Sequence, residues 1–397
     1  MKAALLLLVV ILLVHGLVGL AARPMGDDWC EWSYAAERGP VGATLYWYAT
    51  WSGRYTTFGL KSTLYSVFGL AAPSLVPLLL LVGNWGVWTF ALHPRLRHAG
   101  LVSAAVIYGV VTAMPNPFQG LYYASASLLY VAPLMLVGLL VASVLHRWPW
   151  GITAALAFLI GGTNEPLALL VLVGLSGTVL CTRRLVLAPA LLALVVGLAL
   201  TYVAPGNAER AALEPMRFTP DILRLAFEAL RDDLAALVTT QPLALIVPLT
   251  AGLVIGQRDH RLLARIPIWG LVVATLTVSW LVLLPVAGTL GRLPARSLTL
   301  PLTLISATAC VVGLKLGSQR HYDPSVLTPV VVAALLMAIG WTLRDAPHLM
   351  ADAVAFDRGI VTDIPTDRAQ VVANSVNYAR SCRQGDTEPL YIFYPWK

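Results

Sequence analysis

The sequence predicts an all-α polytopic membrane protein, with about 11 transmembrane helices, interfacial helices in its external loops and a small extracytoplasmic C-terminal tail. Three observations predict it. Hydrophobic residues make up 58% of the 397, and charged residues only 12%, against about 25% in soluble domains. Apolar runs recur along most of the chain, at or near the length of about 20 residues that a span needs. Nearly every short basic loop falls on one side of those runs when the N-terminus is cytoplasmic. The formal net charge of +7 then belongs to membrane boundaries, where Lys and Arg orient spans and meet anionic lipid. It gives no reason to expect nucleic acid as a partner.

In chain order the expected spans are 3–20, 69–92, 99–114, 122–145, 151–163, 166–181, 185–204, 235–256, 266–287, 298–316 and 325–343. The first follows Lys2 and ends in "GLAA", which would also suit a cleaved signal peptide. Leu20 at the −3 position is the wrong size for cleavage and favours a retained anchor. The fifth and sixth are short and separated by "GGTNEP", so they also read as one broken or re-entrant helix. A single span there would put "GQRDHRLLAR" (256–265) outside. Two short spans, with a sharp external turn at Asn164, Glu165 and Pro166, keep it inside with "HPRLRH", "HRWPW", "CTRR" and "KLGSQRHYD".

Residues 1–343 form the expected transmembrane domain, with a first external loop at 21–68 and a second external segment at 205–234. Residues 344–397 form the extracytoplasmic tail. In the first loop, "LYWYATWSGRYTTF" has the composition of an aromatic membrane belt, and Tyr122 and Tyr123 read the same way. In the second segment, Ile222, Leu223, Leu225, Ala226, Leu230 and Leu234 recur at helical spacing among Asp221, Arg224, Glu228 and Arg231, the pattern of an interfacial amphipathic helix. The tail offers a helix at about 366–382 and a strand-like "LYIFY", a small α/β cap without a catalytic motif. Cys181 and Cys310 read as buried thiols. Cys30 and Cys382 share the external side, and a disulfide between them is left open.

Polar residues collect on that same external face. Asp27, Asp28 and Glu31 stand in "MGDDWCEW", directly after the first span. Arg54 follows in "WSGRY", Asn116 and Gln119 in "MPNPFQG", and Asn164 and Glu165 in "GGTNEP". Asn207, Glu209 and Arg210 lie in "YVAPGNAER", and Arg292 and Arg296 in "GRLPARS". Each has a plain structural reading. An acidic pair suits a helix start, Glu165 a helix cap, and the two late arginines a membrane boundary. Together, carboxylates, carboxamides and arginines at one membrane surface suit a substrate with an anionic, lipid-anchored group.

"GDDW" after the first span, with "GGTNEP" and "YVAPGNAER", resembles the GT-C superfamily of polytopic membrane glycosyltransferases, in a bacterial branch. The resemblance covers about residues 1–343, and the short tail departs from members that end in a sizeable soluble domain. It implies a bacterial plasma-membrane enzyme that moves a sugar from a polyprenyl-phosphate donor to an extracytoplasmic glycan, lipid or protein, with inversion. Asp27 or Asp28 would be the general base. Arg210, Arg292 and Arg296, with Arg54, would engage the leaving phosphate. Glu31, Asn116, Gln119, Glu165 and Asn207 would complete the substrate site. No cluster has a specific metal-ligand spacing, although Asp27 and Asp28 could hold Mg²⁺ or Mn²⁺ through oxygen. The competing expectation is a transporter or flippase of a lipid-linked saccharide.

Overall fold

A computed structural model of the chain describes residues 2–24, 27–183, 185–213, 219–256, 267–290 and 293–319, with 336, 337, 339 and 340. Among the described residues the fold is helical, with no strand. The α-helices are α1 (Lys2–Gly19), α2 (Asp27–Thr50), α3 (Tyr55–Phe68), α4 (Ala72–Leu92), α5 (Ala99–Ala113), α6 (Ala124–Tyr130), α7 (Ala132–Leu145), α8 (Trp150–Gly161), α9 (Glu165–Thr182), α10 (Ala188–Tyr202), α11 (Pro205–Leu213), α12 (Pro220–Thr239), α13 (Leu243–Gly256), α14 (Ile268–Leu290) and α15 (Thr299–Gln319).

The chain is a helical membrane protein, but the expected count of about 11 spans is too high. Among the described residues six helical stretches are long and apolar enough to cross a membrane: Tyr55–Leu92, Ala124–Leu145, Glu165–Thr182, Leu185–Tyr202, Ile268–Gly288 and Ala295–Gln319. A seventh appears if α12 and α13, bent by 71° at their junction, count as one. The difference is helix length. The expected spans at 3–20, 99–114 and 151–163 are shorter apolar helices, Ala4–Gly19, Ala99–Ala113 and Trp150–Gly161. At about 1.5 Å per residue, the last is roughly 18 Å long, well under a hydrocarbon core of about 30 Å. The expected span at 325–343 and the α/β tail lie almost wholly outside the described residues.

The first loop folds as two packed helices. α2 starts on Asp27 and Asp28, where the N-terminal dipole favours acids. It breaks at Gly39, whose φ of 68° precedes Pro40. Only glycine takes that backbone without strain, and proline then lacks the N–H a continuous helix needs. The chain then returns so that α3 lies along α2.

α5 is nearly all buried and packs against α1, α4, α13 and α15, making the main core with Tyr108, Leu121 and Leu302. α13 and α15 approach most closely: a Cβ on Gly252 would collide with the Cys310 carbonyl, and one on Gly313 with the Leu249 carbonyl. Small residues that let backbones meet are the usual means of association where lipid supplies no hydrophobic drive. A second core around Leu140, Ile160, Leu194 and Leu198 joins α7, α8 and α10.

α12 is the expected amphipathic helix. It buries Ile222, Ala226, Leu230 and Leu237 against α14. Its opposite side carries Arg224 and Glu228, paired at 2.8 Å, and Arg231 and Asp232, paired at 2.7 Å. Two sequence expectations change. Cys310 is buried, but Cys181 is exposed. The belt-like aromatics largely pack on the protein itself: Tyr46 stacks on Tyr34 at 4.1 Å, Trp47 on Phe58 at 5.5 Å, and Tyr48 and Tyr55 donate to the Leu200 and Phe158 carbonyls. Stacking and a hydrogen bond at the ring's polar tip satisfy an aromatic as well as a headgroup does. Cys30 is disulfide-bonded; Cys382, the partner that the sequence leaves open, lies outside the described residues.

Candidate functional site

The residues singled out in the sequence gather into two polar centres rather than one. The first is built on the opening turn of α2, held by α3 and α6. Asp28 is fully buried, and its Oδ1 accepts from Tyr65 Oη at 2.7 Å and from the Ser125 backbone N–H at 2.9 Å. Glu31, one turn on, accepts at Oε1 from Lys61 Nζ at 2.6 Å and from Ser125 Oγ at 3.0 Å. Lys61 also reaches Ser125 Oγ at 2.7 Å. Its side chain and that of Glu31 are each only 5% exposed. Burial pushes the Glu31 carboxyl above the usual range, against the opposing pull of Lys61. Glu31 Oε2 is buried and has no hydrogen-bond partner among the described residues.

Asp27 differs from its neighbour. It is exposed, and its backbone N–H donates to Tyr123 Oη at 3.1 Å. Burial raises the Tyr123 hydroxyl well above its ordinary range, with Asp27 and Asp28 adding to the effect and Arg296 opposing it. Tyr123 is therefore a neutral hydroxyl that Asp27, Asp28, Glu31 and Arg296 all influence. Arg296 sits in the short turn Ala295–Leu298, which packs on α6 and on the turn Phe118–Tyr122. That second turn carries Gln119, whose N–H is capped by Asn116 Oδ1 at 3.1 Å. Two contacts fix the entry to the loop: His15 on α1 bonds Tyr122 Oη at 3.1 Å, and Ser74 Oγ donates to the Ala22 carbonyl at 2.8 Å.

The second centre lies at the other end of α3, about seven residues or roughly 10 Å along the helix. Arg54 Nε reaches both carboxylate oxygens of Glu165 at 3.1 Å, and its Nη2 reaches Oε2 at 2.9 Å. The two side chains are 21% and 18% exposed. Asn164 caps α9 by accepting the Leu167 N–H at 3.0 Å and donates to the Leu129 carbonyl at 2.8 Å. Asn207 accepts the Gly53 N–H at 3.2 Å and donates to the Thr201 carbonyl, tying α11 to the loop before α3. The Arg210 guanidinium lies over the Trp51 ring, 5.5 Å from its centroid. α6 bridges the centres, with Ser125 at the first and Leu129 at the second.

Arg292 lies outside the described residues. Asn116 and Gln119 stand in the turn beside the first centre, while Arg54, Glu165, Asn207 and Arg210 form the second. Lys61, Tyr65, Tyr123 and Ser125 were not anticipated as site residues. Lys61 left a trace in the sequence: the chain has only four lysines, against 23 arginines, and this one sits in the largely uncharged "LKSTLYSVF". Among the described residues, no group of three or more His, Cys, Asp or Glu side chains is placed to hold a metal ion. No protein family, curated protein or solved structure matches the chain.

Proposed function

We propose that the chain is an integral membrane glycosyltransferase of the GT-C type, moving a sugar from a polyprenyl-phosphate donor to an extracytoplasmic glycan, lipid or protein. The observation that carries the reading is the division of labour between adjacent acids. Asp28 is buried and its Oδ1 takes two hydrogen bonds, whereas Asp27 is exposed beside a neutral tyrosine and near Arg296. A general base must be reachable by the proton it takes, so Asp27 is the base and Asp28 holds it in place. The acceptor oxygen bonds to the anomeric carbon from the face opposite the phosphate, and its proton passes to Asp27. The carbon–oxygen bond to the phosphate breaks, its electron pair stays on the phosphate oxygen, and configuration inverts.

Arg210 and Arg296, with Arg292, meet the departing phosphate; Arg54 is held by Glu165 and orients the pocket. An apolar groove of about 620 Å³ between α8 and α10 is lined by Trp150, Ala154, Phe158, Leu192 and Val196, and Tyr55 packs on Phe158 in its wall. It suits a donor entering from the bilayer. The disulfide at Cys30 suits an oxidising compartment, in keeping with a first loop on the extracytoplasmic side of a bacterial plasma membrane.

The test is transfer by the purified protein from lipid-linked sugar donors. Asp27→Ala lowers the rate by about 10²- to 10⁴-fold. Wild-type turnover in Asp27→Ala, Asp28→Ala and the double variant removes the base. The second reading, a transporter or flippase of a lipid-linked saccharide, draws on the bent α12–α13 pair, since broken spans line transport sites. Movement of a labelled lipid-linked sugar across vesicles without cleavage would decide for it.

A further inference from the structure

α12 carries a second acidic pair, and it too divides. Asp232 is exposed and bonds Arg231. Asp233 is only 5% exposed and lies on the buried face that also holds Ile222, Ala226, Leu230 and Leu237. Its Oδ2 is buried with no hydrogen-bond partner among the described residues.

Among the described residues the helices packed most extensively against α12 are α14 and α13, and neither contains a titratable residue: they read "IWGLVVATLTVSWLVLLPVAGTL" and "LALIVPLTAGLVIG". The other charged groups of α12 are Asp221, Arg224, Glu228, Arg231 and Asp232. Asp221, Arg224, Arg231 and Asp232 are exposed, and Glu228 is engaged by Arg224. A carboxylate at Asp233 therefore meets no cation on these helices. An ionised acid left unpaired in such a place is strongly disfavoured, whereas the neutral acid is tolerated.

We propose that Asp233 is a proton-binding site that sets how tightly α12 lies on α14. The sign follows from burial. Taking the proton off leaves a charge that only water can solvate, so α12 must lift for Asp233 to ionise comfortably. Burial alone pushes the docked carboxyl up to about 7, whereas a solvated aspartate titrates near 3.9. The latch is complete below the lower value, loosens as pH rises between the two, and contributes nothing above about 7. α12 is joined in the chain to α11, which carries Asn207 and Arg210. The same proton therefore sets how firmly the element following the second polar centre is anchored. This inference does not depend on the transferase reading.

Hydrogen–deuterium exchange of the full-length protein in lipid nanodiscs tests it, with peptides covering 220–239 followed from pH 5 to 8.5 and corrected for intrinsic exchange. Wild-type protection of α12 should fall by about tenfold per pH unit from pH 5 to 7 and level off above. Asp233→Asn and Asp233→Leu should hold α12 protection constant across the range, and Asp233→Glu should keep the slope. Peptides from α13 and α15 should show no slope in any of these proteins. Wild-type protection of α12 that is independent of pH overturns the proposal. So does a slope that persists in Asp233→Asn or Asp233→Leu, or one shared by α13 and α15.

Discussion

The two polar centres flanking α3 use the same ingredients in opposite ways. At the first, Lys61 and Glu31 are each about 5% exposed, and Ser125 and Tyr65 close the network around Asp28. At the second, Arg54 grips Glu165 with a bidentate fork, but both side chains keep about a fifth of their surface. Breaking a fully buried pair leaves a charge with no solvent to relax into, whereas a half-open pair can borrow water. The first centre is therefore rigid scaffolding for the one acid it leaves exposed, Asp27. The second keeps partial access to solvent.

That contrast fixes an order of effects. Lys61→Met should be the most damaging change, destabilising the protein by about 3–5 kcal/mol in thermal unfolding in detergent. Lys61→Met combined with Glu31→Gln should recover most of that loss, because neither partner then leaves a charge. If the single variant melts with the wild type, the first centre is not the sealed network described above. Arg54→Ala should cost less, about 1–3 kcal/mol, since the Glu165 left behind is partly solvated. A loss as large as that of Lys61→Met would erase the difference between the centres.

Asn207→Ala removes one accepted and one donated hydrogen bond and should cost about 1–2 kcal/mol. Faster proteolysis within 203–213, with the first centre unaffected, would be the accompanying sign. Smallest of all, Asp27→Asn should shift stability by no more than about 0.5 kcal/mol while lowering transfer about 10²- to 10⁴-fold, whereas Asp28→Asn should lower both. A destabilised Asp27→Asn protein would mean that the exposed acid is part of the scaffold after all.

The same division between neighbours recurs in α12, where Asp232 faces solvent and Asp233 faces apolar helices. In both pairs the sequence shows only two adjacent acids. Successive helix residues lie about 100° apart around the axis, so one acid can be buried while the next remains outside. Which one is buried depends on what packs against the helix, and that is non-local: Tyr65 and Ser125 lie 37 and 97 residues from Asp28.

Composition and hydropathy alone determined that the protein is helical and built for a membrane, because a bilayer demands long apolar stretches with internally satisfied backbones. They also marked the first loop and the amphipathic α12, whose side-chain periodicity is a local property. The number of spans was overestimated because the short apolar runs at 3–20, 99–114 and 151–163 were counted as spans, and their helices, Ala4–Gly19, Ala99–Ala113 and Trp150–Gly161, are no longer than the runs themselves. Only the tertiary structure split one expected cluster of polar residues into two centres, brought Lys61 to Glu31, and gave Asp27 and Asp28 different surroundings. Those outcomes rest on contacts between side chains tens of residues apart, whose geometry is set when the helices pack.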